Sequence, residues 1–493
     1  MNISDKLRRA GWLTGLGCML MVTLVGCKAV GPDFTPPKPP VSEAEVWHAD
    51  LEKGLVVDPV DSNALSHWWN MLHDPTLSRL IDRAVAGNLD LKQARSRVRE
   101  ARARRSVARG DFVPTFDASG SATWSRTSRN TGGSRSSDVG SLSLDAGWEL
   151  DLFGGVRRSV EAVDADLQAS QEDLRDVLVS LLAEKALDYV DVRSYQARLA
   201  SAQASLAAQT ETYQLTVWRN QAGLEDELAV QQAKYNLEST RSQIPTLRTG
   251  LEQAMNAIAV LLGEHPGQVR ADLEMPTPIP VPPPRIAVGV PADVVRQRPD
   301  IRHAEYNLAA QTARVGVAVS NLYPKLTLNG SFGVEALALH EPSNNDWTAS
   351  GGPRISWSLF NAVTRPNIEV QSALQQQALI TYQSTVLNAI EEVENALVSY
   401  VQEQQRRDSL NAAAQAAQAA ATQARYKYEG GLVDFSVVLD AERSVLSFQD
   451  QLIQSNAAVT ADVIRLYKAL GGGWTPQALV QASNNVENTH TLN

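Results

Sequence analysis

The chain has 493 residues, a formal net charge of −10 at pH 7 and only two cysteines. An acidic chain without runs of basic residues is a poor candidate for nucleic-acid binding, because neutralisation of phosphates dominates that affinity. The seven histidines are scattered, and HExxH, GxSxG, GxGxxG and GKS/GKT motifs do not occur. The composition therefore predicts no catalytic residues, no metal site and no nucleic-acid partner.

Residues 1–26 have the layout of a secretory signal peptide, with three basic residues before an apolar stretch shorter than a membrane span of ~20 residues. The stretch LVGC, which ends at Cys27, then reads as a lipobox and predicts cleavage before a lipidated cysteine. Cys18 would leave with the signal peptide, so no thiol would remain for a disulfide or a thiolate metal site. We expect residues 27–61 to form a lipidated N-terminal segment.

Each of several short segments recurs in the same order 207–210 positions later in the chain. NLDLKQA (88–94) matches RPDIRHA (298–304), and AGLEDELAV (222–230) matches GGLVDFSVV (430–438). Each match alone is weak, but ordered matches with a nearly constant offset indicate a tandem duplication.

The duplication divides the chain into domains. PTPIPVPPP in the middle of the chain favours polyproline II, so it predicts a connector between the two copies. The predicted domains are a first repeat at 62–273, a proline-rich linker at 274–289, a second repeat at 290–473 and a disordered polar tail at 474–493.

Both repeats contain the same predicted elements: an opening helix, two strands around a polar loop, a very long helix, a glycine-containing turn and a second long helix. The opening helices are predicted at 76–108 and 291–320. The very long helices, at 156–219 and 367–429, contain neither proline nor glycine. The first has apolar residues at spacings near 3.5 and would be ~95 Å long. Such helices suit a tube of helices, and an isolated coiled-coil spacer is the alternative.

The predicted strands alternate apolar and polar side chains over 116–124, 141–150 and 326–332, and a last strand places Ile355, Trp357 and Leu359 on one face. This pattern fits a half-buried soluble sheet and a transmembrane β-barrel equally well. Four strands cannot close a barrel, which begins at about eight. If these strands span a membrane, several chains must contribute, and three chains would give twelve strands.

The chain resembles the outer-membrane factor (TolC-like) family, in the lipoprotein branch that serves resistance–nodulation–division (RND) efflux systems. The resemblance runs in order from Cys27 to Trp474. The matching segments are CKAVGPDFTPP (27–37), WWNMLHDPTLSRLI (68–81), NLDLKQARSRVREARA (88–103), WELDLFG (148–154), TRSQIPTLRTGLEQAMNAIAVLLGEHPG (240–267), VRQRPDIRHAE (295–305) and YEGGLVDFSVVLDAERSVL (428–446).

The resemblance implies a mainly α-helical homotrimer whose four strands per protomer form a twelve-stranded outer-membrane barrel, continued by an α-helical tunnel in the periplasm. The implied function is the passive, gated exit duct of a tripartite pump for drugs or other toxic small molecules, not an enzyme. The implied partners are a periplasmic membrane-fusion adaptor protein, an inner-membrane RND transporter and outer-membrane lipid. The resemblance implies no cofactor apart from the covalent lipid on Cys27. Lys28, the residue after that cysteine, favours location in the outer membrane.

The resemblance also implies roles for residues at the two predicted turns between long helices. The periplasmic gate would include Asp440, Val437 and Tyr428, and three symmetry-related Asp440 carboxylates would form a negative constriction. Val437 stands where the prototype has a second gate aspartate, so we expect one acidic ring with apolar neighbours. The adaptor-contacting helix tips would contain Gly223, Leu224, Gly430, Gly431 and Leu432.

Three other functions stay open on the sequence alone. One is a lipid-anchored coiled-coil scaffold without a pore, which would not need the alternating strands. A second is a periplasmic lipoprotein hydrolase, although the sequence contains no nucleophile–base or metal constellation. The third keeps the same fold but serves type I protein export or metal-ion efflux.

Overall fold

A computed structural model describes residues 28–38, 46–59, 61–127, 135–292, 297–336 and 345–474. The predicted signal peptide, Cys27 and all of the predicted tail except Trp474 lie outside these residues. In chain order the elements are β1 (Leu55–Val56), α1 (Ser62–Ser66), a 3-10 helix (Trp68–Leu72), α2 (Pro75–Gly87), α3 (Leu89–Gly110), β2 (Thr115–Thr127), β3 (Arg135–Leu150), α4 (Gly155–Gln221), α5 (Glu227–Leu261), α6 (Arg270–Leu273), β4 (Ile286–Ala287), α7 (Pro299–Ser320), β5 (Lys325–Ala336), β6 (Asn345–Ser356), α8 (Thr364–Glu429) and α9 (Phe435–Ala469).

The described chain divides into two compact units. The first unit holds residues 28–37, 97–171 and 303–382 of the described chain, including the sheet of β2, β3, β5 and β6. The second unit holds the remaining described residues, including α5, α9 and the turns that precede them. In the second unit the ring of Trp68, 1% exposed, stacks on Tyr467 with centroids 5.6 Å apart.

The two very long predicted helices are confirmed. They have 67 residues in α4 and 66 in α8, and each is followed by a helix of 35 residues, α5 or α9. Glu227 and Phe435 are the first residues of α5 and α9. The spacing between them equals the spacing between the repeated turn segments AGLEDELAV and GGLVDFSVV. The mainly α-helical fold with two matching repeats is therefore confirmed.

The first opening helix, predicted as one helix over 76–108, is two helices. Asn88 interrupts it with an extended backbone between α2 and α3. The side chain of Asn88 accepts a hydrogen bond from the N–H of Leu91 at 2.8 Å and donates one to the carbonyl of Leu261 at 3.0 Å. Asn88 therefore caps the start of α3 and the end of α5 together, which explains the break.

The four predicted strands form one antiparallel sheet in the order β2-β3-β5-β6. The hydroxyls of Ser119 and Ser143 meet across β2 and β3 at 2.8 Å on the polar face. The other face carries exposed apolar side chains. They are Phe116, Trp124, Leu142, Leu144, Leu328, Phe332, Trp347 and Ile355.

The prediction for the last strand is wrong at its end, because β6 stops at Ser356 and leaves Trp357 and Leu359 outside the sheet. The indole N–H of Trp357 donates to the carbonyl of Leu322 at 3.0 Å, in the turn before β5. Trp148 of the first repeat donates in the same way to the carbonyl of Phe112 at 3.1 Å. Trp148 makes this bond within β3, so the bond does not end the strand. Ser356 pairs with Lys325, the first residue of β5, and the preceding Pro324 has no N–H with which to continue the ladder to Trp357.

Candidate gate and docking site at the helix turns

The turns between α4 and α5 and between α8 and α9 have the same backbone geometry. Gly223 and Gly431 have φ of 73° and 70°, a region that favours glycine. The N–H of Leu224 donates to the carbonyl of Arg219 at 2.8 Å, and the N–H of Leu432 donates to that of Lys427 at 2.8 Å. Each long helix therefore ends in a Schellman motif.

The predicted tip residues are exposed in these turns. Leu224 and Leu432 are 67% and 76% exposed, and neither Gly223 nor Gly431 has a neighbouring atom that an added Cβ would meet. Gly430 precedes the turn glycine of the second repeat and has ordinary backbone angles. Two apolar side chains without cover at helix reversals suit contact with another protein.

Beneath the second turn lies a small hydrophobic cluster whose buried members come from α5, α8 and α9, with side chains of α4 packed against it. Tyr428, only 2% exposed, packs its ring against Phe435 with centroids 5.3 Å apart. The guanidinium of Arg219 lies 4.6 Å from the centroid of the Tyr428 ring, a cation–π geometry. The buried members of this cluster are Ala229, Ala233, Ala424, Tyr428, Phe435, Val438 and Leu439. Tyr428 therefore holds the ends of α4, α5, α8 and α9 together.

The hydroxyl of Tyr428 is buried and has no well-formed hydrogen bond among the described residues. Burial raises the pKa of Tyr428 to about 12, and the nearby carboxylate of Glu225 acts in the same direction. Arg219 lies 3.5 Å from that carboxylate. Tyr428 therefore stays neutral in the physiological range, and its ring makes the contacts that hold the helix ends.

Asp440 and Val437 lie on the exposed face of α9. The Asp440 side chain is 78% exposed and Val437 is 46% exposed, while Val438 and Leu439 between them are buried. The structure thus brings Asp440 and Val437 to one surface and places Tyr428 in the cluster behind it. The acidic ring with apolar neighbours expected from the sequence stays a prediction.

Arg443 is a residue that the sequence analysis missed. Its Nη1 lies 3.7 Å from an Asp440 carboxylate oxygen, one helical turn away. Its other nitrogens donate to α5, to the amide oxygen of Asn236 at 3.0 Å and to the hydroxyl of Tyr235 at 2.5 Å. Arg443 joins α9 to α5 and places a positive charge beside Asp440. Its position three residues after Asp440 in a predicted helix is the signal that could have identified it.

A groove of about 520 Å³ runs beside Asp440 between α8 and α9. The α8 side has alanines one turn apart, and the α9 side has Asp440, Ser444 and Phe448. The lining residues are Ala413, Ala416, Ala417, Ala420, Asp440, Ala441, Ser444 and Phe448. Asp440 therefore lines a groove whose α8 side has only small side chains.

The described residues hold neither a cluster of metal ligands nor a membrane-spanning helix. No three His, Cys, Asp or Glu side chains in them group closely enough to hold a metal ion. None of the helices in the described part of the chain has both the length and the apolar character needed to cross a membrane.

Two segments of the chain, residues 80–264 and 290–472, match the family model described as outer membrane efflux protein. The chain belongs to this family. The predicted resemblance and the duplication are thereby confirmed, because one family model matches each repeat once. Members of the family are outer-membrane channels, so the chain is a channel component of the bacterial outer membrane and not an enzyme.

Relatives with similar sequences span nearly the whole chain. Nodulation protein T of Rhizobium leguminosarum bv. trifolii is 31% identical over 92% of this chain and 96% of its own length. Cation efflux system protein CusC of Escherichia coli O6:H1 is 30% identical over 92% of this chain and 97% of its own length. Among solved structures, the outer-membrane channel OprN is 36% identical with a TM-score of 0.82, covering 91% of this chain and 100% of OprN.

Proposed function

We propose that three copies of the chain form the exit duct of a tripartite efflux system, with the four-stranded sheets joined into one twelve-stranded barrel. The observation that carries this is the sheet itself. Its apolar face exposes Phe116 and Trp347, each 70% exposed, and each of its edge strands, β2 and β6, pairs with a neighbouring strand on one side only among the described residues. Exposed apolar faces belong in lipid, and open edges cannot remain there.

The two helix turns are proposed to be the docking site. Leu224 and Leu432 would contact a periplasmic adaptor protein, which links the duct to an inner-membrane RND transporter. Asp440, Val437 and Tyr428 would form the closed periplasmic gate, with Asp440 and Val437 on its surface and Tyr428 in the buried cluster behind them. Because the gate has no energy source of its own, the transporter would drive export and the duct would open passively.

The exported compound is proposed to be a drug or another toxic small molecule. The related CusC is named as a cation efflux protein, and this chain has no His- or Met-rich tract that favours metal ions. The mature protein is proposed to begin at Cys27 and to carry a lipid there, as one relative is named a probable outer membrane lipoprotein.

Electron microscopy of the detergent-purified protein tests the assembly. We expect threefold particles in which a short barrel continues into a helical tube on the order of 100 Å long. A stable monomer would contradict the proposed duct.

Deletion of the gene should raise the intracellular accumulation of a toxic dye, and re-expression should restore efflux. Unchanged accumulation in a strain that lacks every other outer-membrane duct would contradict the efflux role.

A further inference from the structure

Residues 28–33 lie in the first unit where β3 meets α4. They are called the docking segment here and are separate from the docking site at the helix turns. The N–H of Val30 donates to the carbonyl of Phe153 at 3.0 Å. The ring of Phe153 stacks on Tyr323 with centroids 4.7 Å apart. Lys28 Nζ lies 2.9 Å from a carboxylate oxygen of Asp33. The first residues after Cys27 are thus held at the end of the sheet and not left free.

Arg158 of α4 makes most of the contacts with the docking segment. Its side chain is only 4% exposed. Nε donates to the carbonyl of Val30 at 3.1 Å, Nη2 donates to Asp33 at 2.6 Å, and Nη1 donates to Glu161 at 2.8 Å. A buried guanidinium is unfavourable without acceptors. The docking segment therefore supplies most of the acceptors that Arg158 needs.

The backbone of the docking segment crosses α7 at two glycines. Gly31 has φ of 89°, and a Cβ added there would lie 2.5 Å from the Cα of Gly316. A Cβ on Gly316 would lie 2.9 Å from side-chain carbons of Arg158. The contact requires glycine at both positions. Arg158 belongs to the first repeat and Gly316 to the second, so the docking segment contacts both repeats.

We infer that Arg158 is a positioning residue for the lipid anchor. By binding residues 30–33 it holds the segment that follows Cys27 in the chain against the end of β3 and the start of α4. The acyl chains then enter the membrane beside the end of β3. The inference rests on the proposed lipidation of Cys27. The same contacts account for three residues of the stretch VGPD (30–33). Val30 bonds through its backbone, Gly31 allows the close approach to Gly316, and Asp33 forms the ion pair with Arg158.

Hydrogen exchange with mass spectrometry on the full-length protein, purified from outer membranes in detergent, tests this inference. In the wild type we expect the Val30 amide to exchange at least 100-fold more slowly than in an unfolded chain. Arg158→Met and Asp33→Asn should each speed that exchange at least tenfold. Arg158→Lys keeps the positive charge but has fewer hydrogen-bond donors, so it should give an intermediate exchange rate at Val30.

The matched control is Arg241→Met, because Arg241 pairs only with Glu238 of its own helix in the described residues. Its exchange at Val30 should equal that of the wild type. Asp33→Asn keeps the experiment decisive if Arg158→Met fails to fold, since Asp33 is half-exposed in the docking segment. Peptides from the strands, unchanged in rate, show that the sheet is intact.

The same peptides report the mass of Cys27, which separates the two proposals. An acylated Cys27 with unprotected residues 29–33 overturns the positioning role and leaves lipidation standing. Wild-type protection in both Arg158→Met and Asp33→Asn also overturns it. An unmodified Cys27 with protected residues 29–33 overturns the lipid proposal, and with it the placing of a lipid by Arg158.

Discussion

Arg443 and Tyr235 occupy equivalent positions in the two repeats, and they contact each other. Nη2 of Arg443 donates to the Tyr235 hydroxyl at 2.5 Å, and its guanidinium lies 5.1 Å from the centroid of the Tyr235 ring. In an undiverged duplication this contact would place two arginines or two tyrosines together. Because the two repeats differ at this position, the pair forms a cation–π contact with a hydrogen bond.

Replacing Arg443 with Met should loosen α9 from α5. We expect a loss of about 1 kcal/mol, because the hydrogen bonds to Asn236 and Tyr235 lie partly in solvent. Thermal melting and conductance in planar bilayers are the measurements, and conductance should rise. Arg241→Met is the control. Tyr235→Phe combined with Arg443→Met should cost less than the sum of the single changes, and full additivity would show that the pair does not interact.

Asp440→Asn tests the charge at the proposed gate. Because Asp440 is 78% exposed, we expect little change in melting temperature but a lower preference for cations in bilayer conductance. Glu238→Gln is the control, since Glu238 is half-exposed and pairs with an arginine one turn away. Unchanged ion preference in Asp440→Asn would place the constriction elsewhere.

Tyr428 tests whether the ring or the hydroxyl holds the helix ends. Tyr428→Phe keeps the ring contacts with Phe435 and Arg219, and we expect near-wild-type stability and conductance. Tyr428→Ala leaves a cavity in the buried cluster and should cost roughly 3–5 kcal/mol at that site and increase leakage conductance. Equal effects of the two substitutions would mean that the hydroxyl is essential.

Lys185 predicts a dependence of stability on pH in the second unit. It is fully buried, its Nζ donates to the carbonyl of Ile258 at 2.9 Å, and burial lowers its pKa to about 7. Below pH 7 both the folded and unfolded states carry the proton, so the folded state bears the full cost of the buried charge. Between pH 7 and 10 the unfolded state binds more protons, so this cost shrinks as the pH rises.

The measurement is the difference in melting temperature between Lys185→Met and the wild type. We expect the substitution to raise the melting temperature relative to the wild type most at pH 6.5 and least at pH 10. Val393, at the equivalent position of the second repeat, is buried and apolar. An apolar side chain is therefore compatible with this place in the fold, and methionine is similar in size to the lysine that it replaces. A difference that is constant with pH would contradict the lowered pKa.

The exposed leucines test the proposed adaptor site. Leu224→Ser should leave the melting temperature unchanged, because the side chain is 67% exposed, yet it should reduce dye efflux from cells. Leu89→Ser is the matched control at 65% exposure, at the start of α3. The two variants must reach the outer membrane at equal levels. Equal efflux in Leu224→Ser and Leu89→Ser would exclude Leu224 from docking.

Features that depend on local sequence could be predicted, and those that depend on distant partners could not. Long runs without proline or glycine define α4 and α8, and Gly223 and Gly431 mark their ends. The break at Asn88 depends on a carbonyl of Leu261, far away in the chain. The tether of Arg443 to α5 likewise depends on the neighbouring helix, which no pattern in α9 reveals.

The duplication did not copy the carboxylate of Asp440. The equivalent position in the first repeat is Gln232, whose side-chain amide is uncharged. In the proposed trimer the aperture would carry three carboxylates where two identical repeats would have supplied six. At a given radius, neighbouring charges in a ring of three are about 1.7 times as far apart as in a ring of six, which weakens their mutual repulsion. A closed aperture with three carboxylates can therefore be narrower than one with six for the same repulsion between neighbouring charges.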